Sequence, residues 1–356
     1  MQEQDFLAGQ AFLLALKKRW TTGLYPQLQE KCRDQAGRTG QPLQLADIRA
    51  LLEPDPDYQI FAWLERHLQK MKYSGPYGLA PYHREREEEL SAQLTADGAA
   101  ERLELAEGFE QPAYYQAVDI HQQPGGVWSE TVSGLIYERG ARTTTPMLGQ
   151  KHRDMHDRFA ELVLEHLGQL PETASILDLG CGFGKSTRPF WELAPQAKIT
   201  GVDLAAPCLQ LAAAEAARAG RDNILFRQAD ARDTGCAPES QDLVTSTMLL
   251  HEMPGTGLRA MLAESFALLK PGGWAVHLDF WLLRDAFDRF IFEGHSQRNN
   301  EPFMRALFDM DIKAEAEAAG FEAVELTAFA EDSNIDPQSW PFWRFPWTVF
   351  AMQKPA

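Results

Sequence analysis

The chain has 356 residues, 44% of them hydrophobic, with nine Trp and twenty Phe. That is enough apolar material for a full α/β domain with a smaller one beside it, and it excludes a disordered chain. A formal net charge of −17 opposes nucleic acid, whose phosphates it repels at long range, and fits a small-molecule or cationic substrate better.

The amino terminus opens on Glu3 and Asp5, and its apolar run FLAGQAFLLAL is followed by Lys17, Lys18 and Arg19. A secretory signal has the opposite polarity. No run approaches the roughly eighteen apolar residues that cross a bilayer. A cytoplasmic chain without a membrane partner is the expectation. Cys32, Cys181, Cys208 and Cys236 lack metal-ligand spacing and read as reduced thiols. The histidines are too scattered to assign as ligands, so no metal site is expected.

Residues 1–110 read as helical. Apolar positions recur at intervals of three and four in FLAGQAFLLALKKRW, LADIRALLE and IFAWLERHLQKMKY, with breaks at Pro26, RTGQP, EPDPD and SGPYGLAP. HREREEEL reads as a solvated helix face. This region is expected to be a helical domain serving as a lid or as the dimerisation surface of a possible homodimer. Residues 111–150 are rich in Gly, aromatic and polar residues without a clear period. They read as a connecting loop region that contributes to an active site, a plain linker being the alternative.

From residue 151 to 356 strands and helices alternate. HRDMHDRFAELVLEHL leads into the strand SILDL, and AKITGVDL, NILFRQAD, DLVTSTMLL, WAVHLDFW, FEAVELTAF and PWTVFAMQK follow as further strands. Such alternation builds a parallel sheet with helices on both faces. The last two strands have no helix between them, so the final one should run antiparallel.

The turn after the first of these strands, in SILDLGCGFGKSTRPF, ends in Gly-Lys-Ser. A P-loop would need Gly at 179, where Leu179 stands. A dinucleotide fingerprint starting at Gly180 would need Gly at 185, where Lys185 stands. What remains is Asp178, Gly180, Gly182 and Gly184 in alternate positions, between an apolar strand and a helix. Glycines there let backbone approach a ligand closely. Asp203 ends the second strand, nineteen residues after Gly184, where it can accept from two ribose hydroxyls. Asp230 follows the third strand, where a carboxylate can accept from an adenine amino group. Each acid alone could also be a turn former or helix cap.

Together these segments resemble the class I S-adenosylmethionine-dependent methyltransferases. ILDLGCGFGKST is similar to that family's first motif, GVDLA to its ribose-binding acid, QADARD to its adenine-side acid, and ALLKPGGWAVHLDF to its fifth-strand region. The resemblance implies a Rossmann-like α/β sheet, mostly parallel with an antiparallel last strand, beside the helical amino-terminal domain. It implies S-adenosylmethionine as cofactor. Gly180, Cys181, Gly182 and Gly184 would lie under its methionyl part, with Asp178 reaching the amino group directly or through water. Asp203 and Leu204 would hold ribose and adenine, Asp230 and Ala231 the adenine edge, and Met248 the passage to the substrate. Lys185 reads as a solvent-facing helix residue.

A sulfonium methyl is already activated, so the protein needs mainly to align the reactants and, for some nucleophiles, to deprotonate them. Catalytic candidates are His251 and Glu252 in LLHEMP, Asp279 at the end of strand five, and His121 in DIHQQPGGVWSE. His251 could equally cap a helix, Asp279 could be a turn residue, and His277 reads as a core histidine. Trp128, Tyr137 and, in FEGHSQRNNEPF, His295 are substrate-side candidates. The leading reading is methyl transfer to nitrogen or oxygen of a small molecule, the acidity leaning toward an amine. A cofactor-binding regulator without turnover is the alternative. Aminopropyl transfer ranks last, because TSTMLLHEMP lacks the acidic pair that chemistry uses.

Overall fold

A computed structural model describes all residues except 143–154, 169, 172, 332–334 and 338–341. Eight strands form one sheet: β1 (Leu103–Glu104), β2 (Ser175–Leu179), β3 (Lys198–Asp203), β4 (Ile224–Gln228), β5 (Gln241–Thr247), β6 (Leu269–Phe280), β7 (Glu322–Ala328) and β8 (Trp347–Gln353). Their spatial order is β1-β4-β3-β2-β5-β6-β8-β7. Neighbours from β1 to β6 pair in parallel, and β8 enters antiparallel between β6 and β7, as its missing helix requires. The order reverses between β3 and β5, with β2 at the switch point, where sheets of this kind hold ligands beyond their carboxyl ends.

Four of the five residues of β2 are buried because both sheet faces are covered. Ile176 packs into a core on one face, while Leu177 and Leu179 pack into a second core on the other. The first core includes Trp20, Tyr25, Leu28 and Phe61 from the amino-terminal helices. Those helices, among them Glu3–Arg19, Tyr25–Thr39 and Pro56–Ser74, therefore share a core with the sheet. On the first of them, Phe6, Gln10, Leu13 and Lys17 are buried at helical spacing.

Two expectations are corrected. Residues 1–110 are not wholly helical, because Leu103 and Glu104 extend the sheet beside Phe226 and Arg227. The exposed edge of β4 offers unpaired backbone groups, and Glu104 is fixed there by Arg227 at 2.6 Å. Residues 111–150 are not all loop either, since Ser133–Ala141 is a helix packed on the helix Ala206–Arg218. The expected boundary between residues 150 and 151 lies outside the described residues. Among those described, no helix is long and apolar enough to cross a membrane. A helix also spans Ala286–Asn299, where the sequence alone suggests no more than an insertion; Asp285 caps it by accepting from Asp288 N at 2.9 Å.

Gly134 sets the approach of Ser133–Ala141. A Cβ there would press on the Pro207 carbonyl and stand 2.7 Å from its carbon and 3.0 Å from Cys208 N. Backbone cannot step aside as a side chain can. Gly134→Ala should therefore cost roughly 1–3 kcal/mol, as overpacking does, read as a lower urea midpoint at unchanged slope.

Candidate active site

The turn after β2 places Gly180, Gly182 and Gly184 in the left-handed region, at φ 64°, 53° and 81°. A Cβ at Gly182 would meet only Tyr137, at 3.7 Å, so that glycine faces open space. Gly184 serves packing instead, since a Cβ there would lie 3.0 Å from Ala212 Cβ and hold helix and turn apart. Asp203, at the end of β3, ties the turn from beside it. Its Oδ2 accepts from Gly182 N and its Oδ1 from Ala205 N, both at 2.8 Å. Burial pushes its pKa up, and these backbone bonds oppose the shift.

Asp178 stands elsewhere than expected. It is fully buried behind the turn, and its Oδ2 accepts from Ser186 Oγ at 2.7 Å and Thr187 Oγ1 at 2.6 Å. Burial pushes its pKa up to about 6, against those two hydroxyl bonds. It lines neither of the cavities described below, because the following helix turns its first two hydroxyls toward it. Its Oδ1 has no hydrogen-bond partner.

A small cavity of about 100 Å³ opens over the turn, lined by Gly180, Gly182, Asp203, Leu204, Asp230, Ala231 and Met248. Tyr114 and Tyr115 from the amino-terminal side also line it; no motif in the sequence singles them out. Asp230 is bonded to Arg232 through both oxygens, at 2.9 and 2.6 Å. An adenine amino group there would have to share a carboxylate already engaged.

A larger cavity of about 550 Å³ adjoins the first. Both are lined by His121, Tyr137, Gly180, Gly182, Met248 and Glu252. Along its wall acids and imidazoles alternate. Asp279 Oδ1 meets His251 Nδ1 at 2.7 Å, and His251 Nε2 meets Glu252 Oε1 at 3.3 Å. The same Glu252 oxygen lies 3.2 Å from His121 Nε2, and His121 Nδ1 lies 3.1 Å from Glu301 Oε1. His295 Nε2 stands 3.6 Å from Glu301 Oε2, and its Nδ1 is 2.6 Å from Glu65 Oε1. Arg298 donates to the other Glu65 oxygen and closes the row.

Electrostatics follow from that alternation. Burial would lower the pKa of His121, but Glu252 and Glu301 outweigh it and raise it to about 9. His295 is raised to about 9 against burial by Glu301 and Glu65, and His251 well above its usual value by Asp279 and Glu252. Burial resists ionising Glu252 and Glu301, yet their flanking histidines hold both well below the usual carboxylate range. At neutral pH the row is thus a chain of ion pairs in which each imidazolium is hydrogen-bonded to an acid through Nδ1 and faces another acid through Nε2. Every acid in it has a cation beside it, so the chain's net acidity does not reach this wall and the lean toward an amine loses its ground.

His121, His251, Glu252 and His295 come together, although their segments lie far apart in sequence. Asp279 does not face the cavity. It lies behind His251 and accepts from Leu250 N, at 2.7 Å, and Phe280 N, at 2.8 Å, which makes it a positioning residue. Trp128 lines neither cavity, since the Gly125–Gly126 turn folds its ring back over its own loop; Val127 and Tyr137 take that place, Tyr137 parallel to His121 at 6.1 Å. Lys185 is half-buried on the wall of the larger cavity, not solvent-facing. His277 is a core residue: it is bonded to Ser246 Oγ at 2.8 Å, and burial lowers its pKa to about 3. Glu65 and Glu301 join the site without having stood out as candidates. Glu65 had a signal, because it falls with Phe61 and Leu68 on the buried stripe of its helix. Among the described residues no group of three or more His, Cys, Asp or Glu could hold a metal ion.

Residues 176–273 match the family model described as "Methyltransferase domain". Over that span, from β2 into β6, the chain is similar to a methyltransferase domain. Over 108 residues it is 42% identical to the trans-aconitate 2-methyltransferase of Streptomyces avermitilis, covering 30% of this chain and 39% of that protein. Over 81 residues it is 38% identical to the methyltransferase ungE' of Aspergillus campestris, covering 22% and 24%. The chain thus spans well under half the length of either. A solved complex of Haemonchus contortus phosphoethanolamine N-methyltransferase 2 with S-adenosyl-L-methionine has a TM-score of 0.43 at 17% identity, covering 55% of this chain and 52% of that one.

S-adenosylmethionine is the methyl donor of this domain family, and the methyltransferase turn has features that suit it. Gly182 leaves room for a ligand, and Asp203 presents a carboxylate at the strand end on the wall of the smaller cavity. Asp203→Ala should weaken cofactor binding by roughly 1–3 kcal/mol, the worth of charged hydrogen bonds; calorimetry showing unchanged affinity removes Asp203 from the site.

The row also sets a pH dependence. His121 and His295 have folded pKa values near 9 against about 6.5 unfolded. Their contribution to stability is complete below about pH 6.5 and is lost as pH rises through about 9. Urea stability should fall across that window, and His121→Gln should flatten the fall.

Proposed function

We propose that the protein transfers a methyl group from S-adenosylmethionine to nitrogen or oxygen of a small molecule, with Glu252 at the point of transfer. The observation that carries this is the position of Glu252. It borders both cavities, and its Oε2 is a buried acceptor without a partner. A carboxylate oxygen left unpaired away from water is costly. An O–H or N–H of the methyl acceptor would satisfy it.

When bound, the cofactor supplies an activated methyl carbon on a sulfonium centre. The chain's own residues align and enclose. His121 Nε2 and His251 Nε2 flank Glu252 Oε1 at 3.2 and 3.3 Å and hold the carboxylate between two positive charges. Its depressed pKa makes Glu252 first an acceptor that orients the nucleophile's lone pair. It takes the proton as positive charge grows on the attacking atom. Tyr137 and Met248 flank the junction, and Lys17, Trp20, Leu68 and Tyr73 wall the larger cavity from the amino-terminal helices. That wall supports a covering role for residues 1–110 and an acceptor small enough to be enclosed. The net charge of −17 supports the same choice over a polyanion.

Glu252→Gln keeps the shape and removes the proton acceptor. It should lower kcat by about 10²–10⁴-fold, the worth of general base catalysis, while calorimetry shows the cofactor still bound. Normal turnover in that variant removes Glu252 from the reaction. Cofactor binding in the wild-type protein with no methylated product across a metabolite panel favours the regulator instead.

A further inference from the structure

Besides Glu252 Oε2, three buried polar atoms of residues lining the larger cavity have no hydrogen-bond partner: Glu301 Oε2, His295 Nε2 and Trp343 Nε1. The first two face each other at 3.6 Å, just beyond hydrogen-bond reach. Both side chains are more than nine-tenths buried, at 5% and 9% exposure. The other atoms of these groups are occupied: Glu301 Oε1 by His121 and His295 Nδ1 by Glu65. Row packing therefore leaves one donor and one acceptor side by side, at ion-pair but not hydrogen-bond distance.

We propose that this pair is a second recognition point for the methyl acceptor, which is a ring compound carrying at least two hydroxyl groups. The inference rests on the methyl-transfer reading above. A hydroxyl is both acceptor and donor, so one oxygen can take the His295 N–H and give its own hydrogen to Glu301. Other groups match only half the pair. An ammonium donates to Glu301 but leaves the imidazolium unpaired and repelled. A carboxylate accepts from His295 and is repelled by Glu301. An ether or methyl leaves at least the carboxylate oxygen unsatisfied. The second hydroxyl is the one at Glu252 Oε2, with the His121 ring between the two points. The scaffold joining them is flat and apolar, because Trp20, Phe280, Trp343, Phe345 and Trp347 line the same cavity.

The test uses the full chain saturated with S-adenosylhomocysteine and a panel of monohydroxy- and dihydroxynaphthalenes, titrated by calorimetry. At least one dihydroxy isomer should bind about tenfold or more tightly than the monohydroxy compounds, roughly the worth of one charge-assisted hydrogen bond. In His295→Phe and in Glu301→Gln that ratio should fall toward one. Circular dichroism and cofactor binding identify a variant that has failed to fold, and the wild-type ratio stands without it. A wild-type ratio near one, a ratio unmoved by both variants, or no binding by any member overturns the proposal. Turnover of the same panel with S-adenosylmethionine separates the two readings. Equal kcat/KM for mono- and dihydroxy compounds overturns the hydroxyl pair and keeps methyl transfer. Preferential binding without product supports the recognition point and overturns methyl transfer.

Discussion

The ion-pair row from Asp279 to Arg298 is the constraint on which the site depends. Its members come from the ends of β5 and β6, the loop at residue 121, the helix Ala286–Asn299 with the turn after it, and the amino-terminal helix Pro56–Ser74. Breaking a buried pair by removing one partner leaves an uncompensated charge, at a cost of about 3–5 kcal/mol. Each member is thus a reason for the next to stay. Glu65 needs His295 and Arg298, Glu301 needs His295 and His121, and Glu252 needs His121 and His251. The amino-terminal helices are bound to the methyltransferase sheet by this chain of mutual need as well as by the shared core.

Such a row is a poor way to gain stability, since apolar side chains of similar volume often do as well or better. Its worth is geometric. An imidazolium bonded to one acid through Nδ1 and facing another through Nε2 has little rotational choice left, and Glu252 between two imidazoliums has one oxygen beside both and one free. Lys17 and Lys72 show the expense of charge on the same side. Both are buried on amino-terminal helices, and burial lowers the pKa of Lys17 to about 8 and that of Lys72 well below its usual value. The helices that cover the cavity thus carry charge on faces that a purely structural lid would leave apolar.

The two halves of the site differ in how far the sequence disclosed them. The half around the glycine turn follows chain order, strand end by strand end, so spacing alone picked out the turn, Asp203 and Asp230 as candidates, and all three line the smaller cavity. Direction was not. Asp178 looks the same in sequence whether it faces a ligand or the hydroxyls of Ser186 and Thr187, and Lys185 gives no sign that its helix turns it inward. The substrate half was legible only as fragments. His121 and His295 stood out as polar groups beside aromatics, and His251 with Glu252 and Asp279 by their places at strand ends. Glu301 and Glu65 did not stand out, because His121 meets Glu301 across 180 residues and His295 meets Glu65 across 230. Glu65 alone left a trace, as an acid on an apolar stripe. A two-residue strand such as β1 left none, since pairing at a sheet edge is decided by the edge and not by local propensity.

Three of the six non-glycine residues with positive φ among the described residues lie where the two halves meet. His121 and Gln122 have φ of 55° and 61°, and Met248 has 59°, all in the region that favours glycine. Non-glycine residues there cost of order 1–3 kcal/mol each and persist only where surroundings over-determine them. Gln69 Nε2 donates to the His121 carbonyl at 3.1 Å, and Gln122 Nε2 donates to the carbonyls of Arg66 and Arg298. Met248 N donates to the Leu278 carbonyl at 2.8 Å. Two of the three strained residues are therefore held by groups on Pro56–Ser74. Without that helix His121 loses the bond to its carbonyl, and the row that positions its ring loses Glu65, which holds His295. The backbone of His121 and Gln122 is therefore set by the amino-terminal helices as well as by the loop's own contacts, although those helices lie outside the segment that matches a methyltransferase domain.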